Sequence, residues 1–88
     1  MYFVYILQST STSRFYAGQC DHLIERFHEH QRGVNFATRN RGPWWMPCYE
    51  IYATRPDALR REREIKSKKS AASIRRIIAH SLPGLDVP

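Results

Sequence analysis

The first residues limit the fold of this 88-residue chain more than any other segment. Tyr2-Phe3-Val4-Tyr5-Ile6-Leu7 is apolar at every position and rich in aromatic and β-branched side chains, the composition of a strand. Successive side chains of a strand point to opposite faces, so both sets here, Tyr2, Val4, Ile6 and Phe3, Tyr5, Leu7, need apolar cover. That places the segment centrally in a sheet. A chain of this length forms one domain and buries only about 60–65% of the surface it exposes when unfolded. Its core is thin, and a polar side chain directed into it needs a reason. The segment is too short to cross a bilayer, as is every other apolar run, so no membrane association is expected. It has no basic leader and no small-residue cleavage site, so no signal peptide is expected either.

The rest of the chain reads as a short series of elements. Ser9 to Ser13 is a polar turn, and Arg14-Phe15-Tyr16-Ala17-Gly18 a second strand completing a hairpin. Asp21 is predicted to cap a helix running to about Arg32, with Gly33 as its stop. Residues 34–47, rich in Asn, Gly, Pro and Arg, read as a loop pinned to the body by Trp44 and Trp45. Cys48 to Ala53 is a third strand. Thr54-Arg55-Pro56-Asp57 has the capping pattern of a second helix, expected to reach about Lys69. Ala71 to His80 is a third, with Ile74, Ile77 and Ile78 on one face. The expected architecture is α/β of the α+β type: a three-stranded, mainly antiparallel sheet flanked by helices in the order ββαβαα. Residues 1–82 form the domain and 83–88 a loose tail.

Charge narrows the partner. Fourteen Lys and Arg face eight Asp and Glu, a net +6, and eleven of the fourteen cations are Arg. Such an excess suits a polyanion, most simply nucleic acid, because the guanidinium fork binds two phosphate oxygens at once. A merely soluble basic surface is the alternative. Cys20 and Cys48 show no CxxC or metal-type spacing, which argues against a disulfide scaffold or zinc finger and for a reducing cytoplasm. Phe27-His28-Glu29-His30-Gln31 only superficially resembles a zinc-protease helix, because histidines two apart point to different helix faces.

Three polar placements stand out against the thin core. On the second helix Glu62 lies about 40° round from Ala58, with Ile65 about 20° to the other side, so it falls within the apolar stripe. Glu64 points to solvent. A carboxylate so placed is explained by an ion pair with an Arg at the core edge, or by service as a metal ligand or acid–base group in a cleft. On the first helix Arg26 and His30 are one turn apart at the margin of the stripe made by Leu23, Ile24 and Phe27. A hairpin turning near residues 10–11 brings Tyr5 close to Tyr16, either as a structural aromatic pair or with both hydroxyls in a shared cleft.

In this order and spacing the chain resembles the GIY-YIG nuclease superfamily (URI domain), in its small stand-alone, bacterial-type form. Phe3-Val4-Tyr5 occupies the GIY position and Tyr16-Ala17-Gly18 the YIG position. Arg26 and His30 stand where the family has its helix Arg and the following His. Asp57-Ala58-Leu59-Arg60-Arg61-Glu62 resembles the start of the helix carrying the catalytic Glu, and Thr38-Arg39-Asn40-Arg41-Gly42-Pro43-Trp44 the loop of the branch that cuts branched DNA. The resemblance covers residues 2 to about 70. Phe3 and Ala17 depart from the motif letters, Cys20 stands where many relatives have Thr, and no Asn follows the Glu.

The resemblance implies a metal-dependent endonuclease that hydrolyses DNA phosphodiester bonds, structure-selective or non-specific, in repair, recombination or defence. Glu62 would hold one Mg²⁺ or Mn²⁺ ion. Arg26 would neutralise charge on the reacting phosphate. Tyr5 would bind or deprotonate the attacking water, Tyr16 would position phosphate or water, and His30 is a second candidate base or an orienter. Arg39 and Arg41 on the loop, with Lys66 and Lys69 on or beside the Glu62 face, would hold the DNA backbone, branched or single-stranded regions included. Arg63 and Lys68 read as solvated charges. A non-catalytic nucleic-acid-binding module on the same fold is the rival reading, and a nuclease subunit relying on a protein partner for substrate choice is a third.

Overall fold

The computed structural model of the chain describes residues 1–35 and 37–84. Strands β1 (Tyr2–Ser9), β2 (Phe15–Cys20), β3 (Trp44–Tyr52) and β4 (Leu82–Pro83) form one sheet in the order β2-β1-β3-β4, antiparallel throughout. Helices α1 (Leu23–Gln31), α2 (Arg55–Lys66) and α3 (Ala71–Ala79) cover it. As its two apolar sets require, β1 is central, and Val4, Tyr5, Ile6 and Leu7 are each at most 1% exposed. Val4 and Ile6 pack with Ala17, Cys48, Ala58, Ile65 and Ile74 under α2 and α3. Tyr5 and Leu7 pack on the other face with Cys20, Trp44, Met46 and Phe27 under α1. Cys20 and Cys48 are thus free thiols buried in opposite layers. No helix among the described residues is long and apolar enough to cross a membrane.

The α+β class and the order of the first six elements follow the sequence, and the differences have local causes. The sheet has four strands rather than three, because Leu82 and Pro83 pair with Tyr49 and Cys48, and Gly84 N–H donates to Pro47 O at 3.1 Å. A two-residue strand has no periodicity to read, and its proline is tolerated at an edge. The expected loose tail is therefore paired at its start; residues 85–88 lie outside the described residues. β3 begins at Trp44, not Cys48: Trp44 pairs with Ser9 and Trp45 with Gln8, beyond a bulge between Ile6 and Gln8. Pro47 sits in that bulge, where a missing N–H costs no ladder bond.

Helix ends show the same kind of correction. His22, not Asp21, is the α1 N-cap, without a side-chain cap bond. Asp21 instead meets Arg55 at 3.6 Å. Gly33 does end the helix, at φ +74°, a conformation favouring glycine. Thr54 caps α2 as its motif predicts, accepting from Asp57 N–H at 3.3 Å. The helix stops at Lys66, three residues short of Lys69, and Ser70 caps α3 by accepting from Ser73 N–H at 3.1 Å.

Candidate active site

Tyr5 and Tyr16 share the face of the sheet that α1 covers. Tyr5 is directly opposite Gly18, and Leu7 is opposite Tyr16, so the two tyrosines are diagonal neighbours. Gly18 makes this arrangement possible, since a Cβ there would lie 2.5 Å from Tyr5 Oη and 2.7 Å from Cζ. The phenol lies across the β2 backbone where any other residue would put a side chain.

α1 lowers His30 onto the pair. The imidazole is 1% exposed. Its Nε2 is 2.8 Å from Tyr5 Oη and its Nδ1 is 2.7 Å from Thr38 Oγ1. Its ring centroid is 5.6 Å from that of Tyr5 and 5.3 Å from that of Tyr16. Thr38 is buried and held in turn, its carbonyl accepting from the Trp44 indole N–H at 3.4 Å. Gln31 clamps both sides of the Trp44 backbone, donating to its carbonyl at 2.7 Å and accepting from its N–H at 2.8 Å. Helix, loop and β3 are thereby locked around the histidine.

The charge state of the ring follows from its burial. Burial, reinforced by the Arg26 charge, lowers the His30 pKa to about 4, so the ring is neutral at pH 7 and carries one N–H. His30 is the one hydrogen-bond partner of the Thr38 hydroxyl among the described residues. The buried Tyr5 and Thr38 hydroxyls bracket the ring, one accepting from its single N–H and the other donating to its bare nitrogen. The Arg26 guanidinium lies beside the Tyr5 hydroxyl and keeps an ion pair with Glu29 at 3.0 Å. Burial pushes the Tyr5 pKa up, and the neighbouring Tyr16 and Cys20 add to this, while Arg26 opposes it. The Tyr5 hydroxyl thus stands between the His30 ring and the Arg26 guanidinium.

The remaining sequence-predicted residues stand further out. The Glu62 side chain is 17% exposed against 53% for Glu64, which agrees with the helical phase. Glu62 Oε2 is 3.4 Å from Lys66 Nζ, and that ammonium lies 5.6 Å from the centre of the Tyr16 ring. Tyr5, Tyr16, Arg26 and His30 are therefore in direct contact as a group, whereas Glu62 is joined to them only through Lys66 and Tyr16. Lys69, beyond the end of α2, is exposed. Arg39 and Arg41, just after Thr38, are exposed; Arg39 Nε donates to Gly33 O at 3.3 Å and Arg41 O accepts from Ser9 Oγ at 2.6 Å. No group of three or more His, Cys, Asp or Glu side chains able to hold a metal occurs among the described residues. Glu29, paired with Arg26, is the acidic side chain in contact with this cluster, and Glu62 approaches it by way of Lys66; a single carboxylate suits a hard cation that keeps most of its waters.

Sequence reasoning missed Gly18 as a steric requirement, Thr38 as the partner of His30, and Glu50 altogether. Glu50 accepts from Arg61 Nε at 2.8 Å, Arg61 Nη2 at 3.1 Å, Tyr52 Oη at 2.7 Å and Ser81 Oγ at 2.9 Å. Burial opposes ionisation of this carboxyl, but these donors hold its pKa below the usual range. Arg61, which also pairs with Glu64, belongs to this staple between β3, α2 and the segment after α3, and is not available to a substrate. Local sequence carries no signal for such contacts beyond the residue types themselves.

The sequence model of the GIY-YIG catalytic domain matches residues 1–75, which include every residue of the Tyr5–His30 cluster and Glu62. No curated protein matches the chain. The solution NMR structure of the UPF0213 protein BH0048 from Bacillus halodurans is similar at 26% identity with a TM-score of 0.57, over 91% of this chain and 85% of that one. With most of its length matched by that domain, the chain belongs to the GIY-YIG family, a nuclease superfamily.

Proposed function

We propose that the protein is a divalent-metal-dependent endonuclease that hydrolyses DNA phosphodiester bonds. The observation that carries this reading is the Tyr5 hydroxyl held between a neutral His30 and the Arg26 guanidinium, beside Tyr16, within this family's domain. Tyr5 takes the proton of the attacking water. It does so as the phenolate, after its own proton has left to solvent; the buried phenol is a reluctant acid, so that oxyanion depends on groups already in place, the Arg26 guanidinium and the His30 ring. Arg26 also neutralises charge that builds on the phosphate, and Tyr16 orients the phosphate or the water. His30 orients Tyr5 and, with a pKa near 4, does so as the neutral imidazole. Glu62 would hold Mg²⁺ or Mn²⁺, which would supply Lewis-acid polarisation of the phosphate. Lys66, Lys69, Arg39 and Arg41 contact the DNA backbone, which gives affinity without sequence choice.

The test is nicking of supercoiled plasmid, a flap and a four-way junction with Mg²⁺, Mn²⁺ or EDTA, using wild type and Glu62→Gln. Cutting should require the metal and fall at least ~100-fold in Glu62→Gln, while gel-shift affinity persists. Equal cutting by the variant refutes the role of Glu62. One observation favours the rival reading of a binding module, namely that Glu62 pairs with Lys66 rather than touching Arg26 or Tyr5. Metal-independent binding with no cutting on any of the three substrates would establish it.

A further inference from the structure

Beside the candidate site, a groove of about 550 Å³ lies between the start of β2 and the α2–α3 turn. Five cations line it, Arg14, Lys66, Lys68, Lys69 and Arg75, and no carboxylate does. Among the described residues only Lys66 of the five takes part in an ion pair. Lys68, expected to be a merely solvated charge, belongs to this set. Phe15, Tyr16 and Ile74 also line it, Phe15 packed with the Val4–Ile6 layer and the partly buried Tyr16 with the Tyr5–Leu7 layer at the sheet edge. The larger cavity, of about 680 Å³ between β3 and α2, is different in kind, because Glu50, Asp57 and Glu64 already neutralise Arg60 and Arg61 there.

We propose that this groove binds a single strand of DNA leading to or from the scissile phosphate. Uncompensated like charges around a small concavity repel one another, and an anionic chain relieves that repulsion. Cations combined with exposed ring faces are what a single strand requires, phosphates meeting the former and bases stacking on the latter. The groove has the size of a small-ligand pocket, enough for a nucleotide or two but too small to enclose a duplex. It is continuous with the candidate site, since Tyr16 lies 5.3 Å from His30 and Lys66 lies 3.4 Å from Glu62. That continuity rests on the proposed endonuclease reading, whereas the binding itself does not. The substrate class that follows is DNA with a single-stranded arm or gap.

The experiment is fluorescence anisotropy in EDTA, with a labelled 12-nucleotide single strand, the blunt duplex of the same sequence, and the RNA version of the strand. Arg14→Ala/Lys68→Ala/Arg75→Ala should lose at least ~10-fold in single-strand affinity, with the slope of log K against log salt reduced by about 2, because each phosphate contact contributes about 0.7. Duplex affinity should fall less than ~3-fold. Phe15→Leu should weaken single-strand binding ~3- to 10-fold through lost stacking. Arg63→Ala, an exposed cation outside the groove, should change it less than ~2-fold, and thermal melts check that each variant folds. Unchanged single-strand affinity in the triple variant, or equal losses for strand and duplex, overturns the proposal, and tighter binding of RNA overturns its assignment to DNA. If wild type never nicks yet shows this binding pattern, the groove stands and the nuclease reading falls. If wild type nicks and the triple variant binds the single strand normally, the reverse holds.

Discussion

His30 makes the stability of the domain depend on pH in a window that carboxylates do not share. Its pKa is lowered from 6.5 to about 4 by burial and by the Arg26 charge. The folded state therefore resists a proton that the unfolded chain accepts. The contribution of the neutral ring is intact above pH 6.5 and is lost as pH falls from 6.5 towards 4. At 1.36 kcal/mol per unit the loss comes to about 3 kcal/mol, a large part of the 5–15 kcal/mol typical of a domain. Glu50, with its pKa held below the usual carboxylate range, supports the fold until lower pH, so the two effects separate along the pH axis. The assay is urea unfolding at pH 7, 6, 5 and 4 for wild type and His30→Gln. The amide can bond both Tyr5 and Thr38 but does not titrate. The variant starts less stable, and its loss between pH 6.5 and 4 should be smaller by about 3 kcal/mol. Identical pH dependence in the two proteins would show that the imidazole does not sit neutral and desolvated between the tyrosines.

Two substitutions probe the same cluster. Gly18→Ala puts a methyl 2.5 Å from Tyr5 Oη, so it should cost about 1–3 kcal/mol by overpacking and displace the hydroxyl from His30. An unchanged melting temperature together with an unchanged His30 imidazole NMR signal would refute the close approach. Thr38→Val keeps the shape but removes the hydroxyl bonded to Nδ1 and should cost about 1–3 kcal/mol, while Thr38→Ser retains the bond and the stability. Imidazole ¹⁵N NMR should find the wild-type ring neutral at pH 7, and a protonated ring would overturn this reading of His30.

Periodicity made much of the layer structure legible. The two apolar sets of Tyr2–Leu7 demanded helical cover on both faces, and α1 on one side with α2 and α3 on the other provide it. The 100° rotation per residue separated half-buried Glu62 from exposed Glu64. Thr54 announced its helix through a local hydroxyl-to-amide bond. Prolines misled where distant pairing overrode local preference. Pro47 is absorbed in a bulge opposite β1, and Pro83 sits on a strand only because β3 is there to receive it.

Contiguous side chains thus determined which segments are helix or strand, which faces are apolar, and that Tyr5, Tyr16, Arg26, His30 and Glu62 depart from a plain core pattern. Periodicity is a property of neighbours in the chain, so it can be read without a fold. Tertiary packing alone decided that Thr38 meets His30 eight residues on, that Gly18 makes room for the Tyr5 ring, that Lys66 lies over the Tyr16 ring, and that Arg14 joins the cations after α2 around one groove. Each of these depends on the spacing and angle of separately formed elements, which no local pattern encodes.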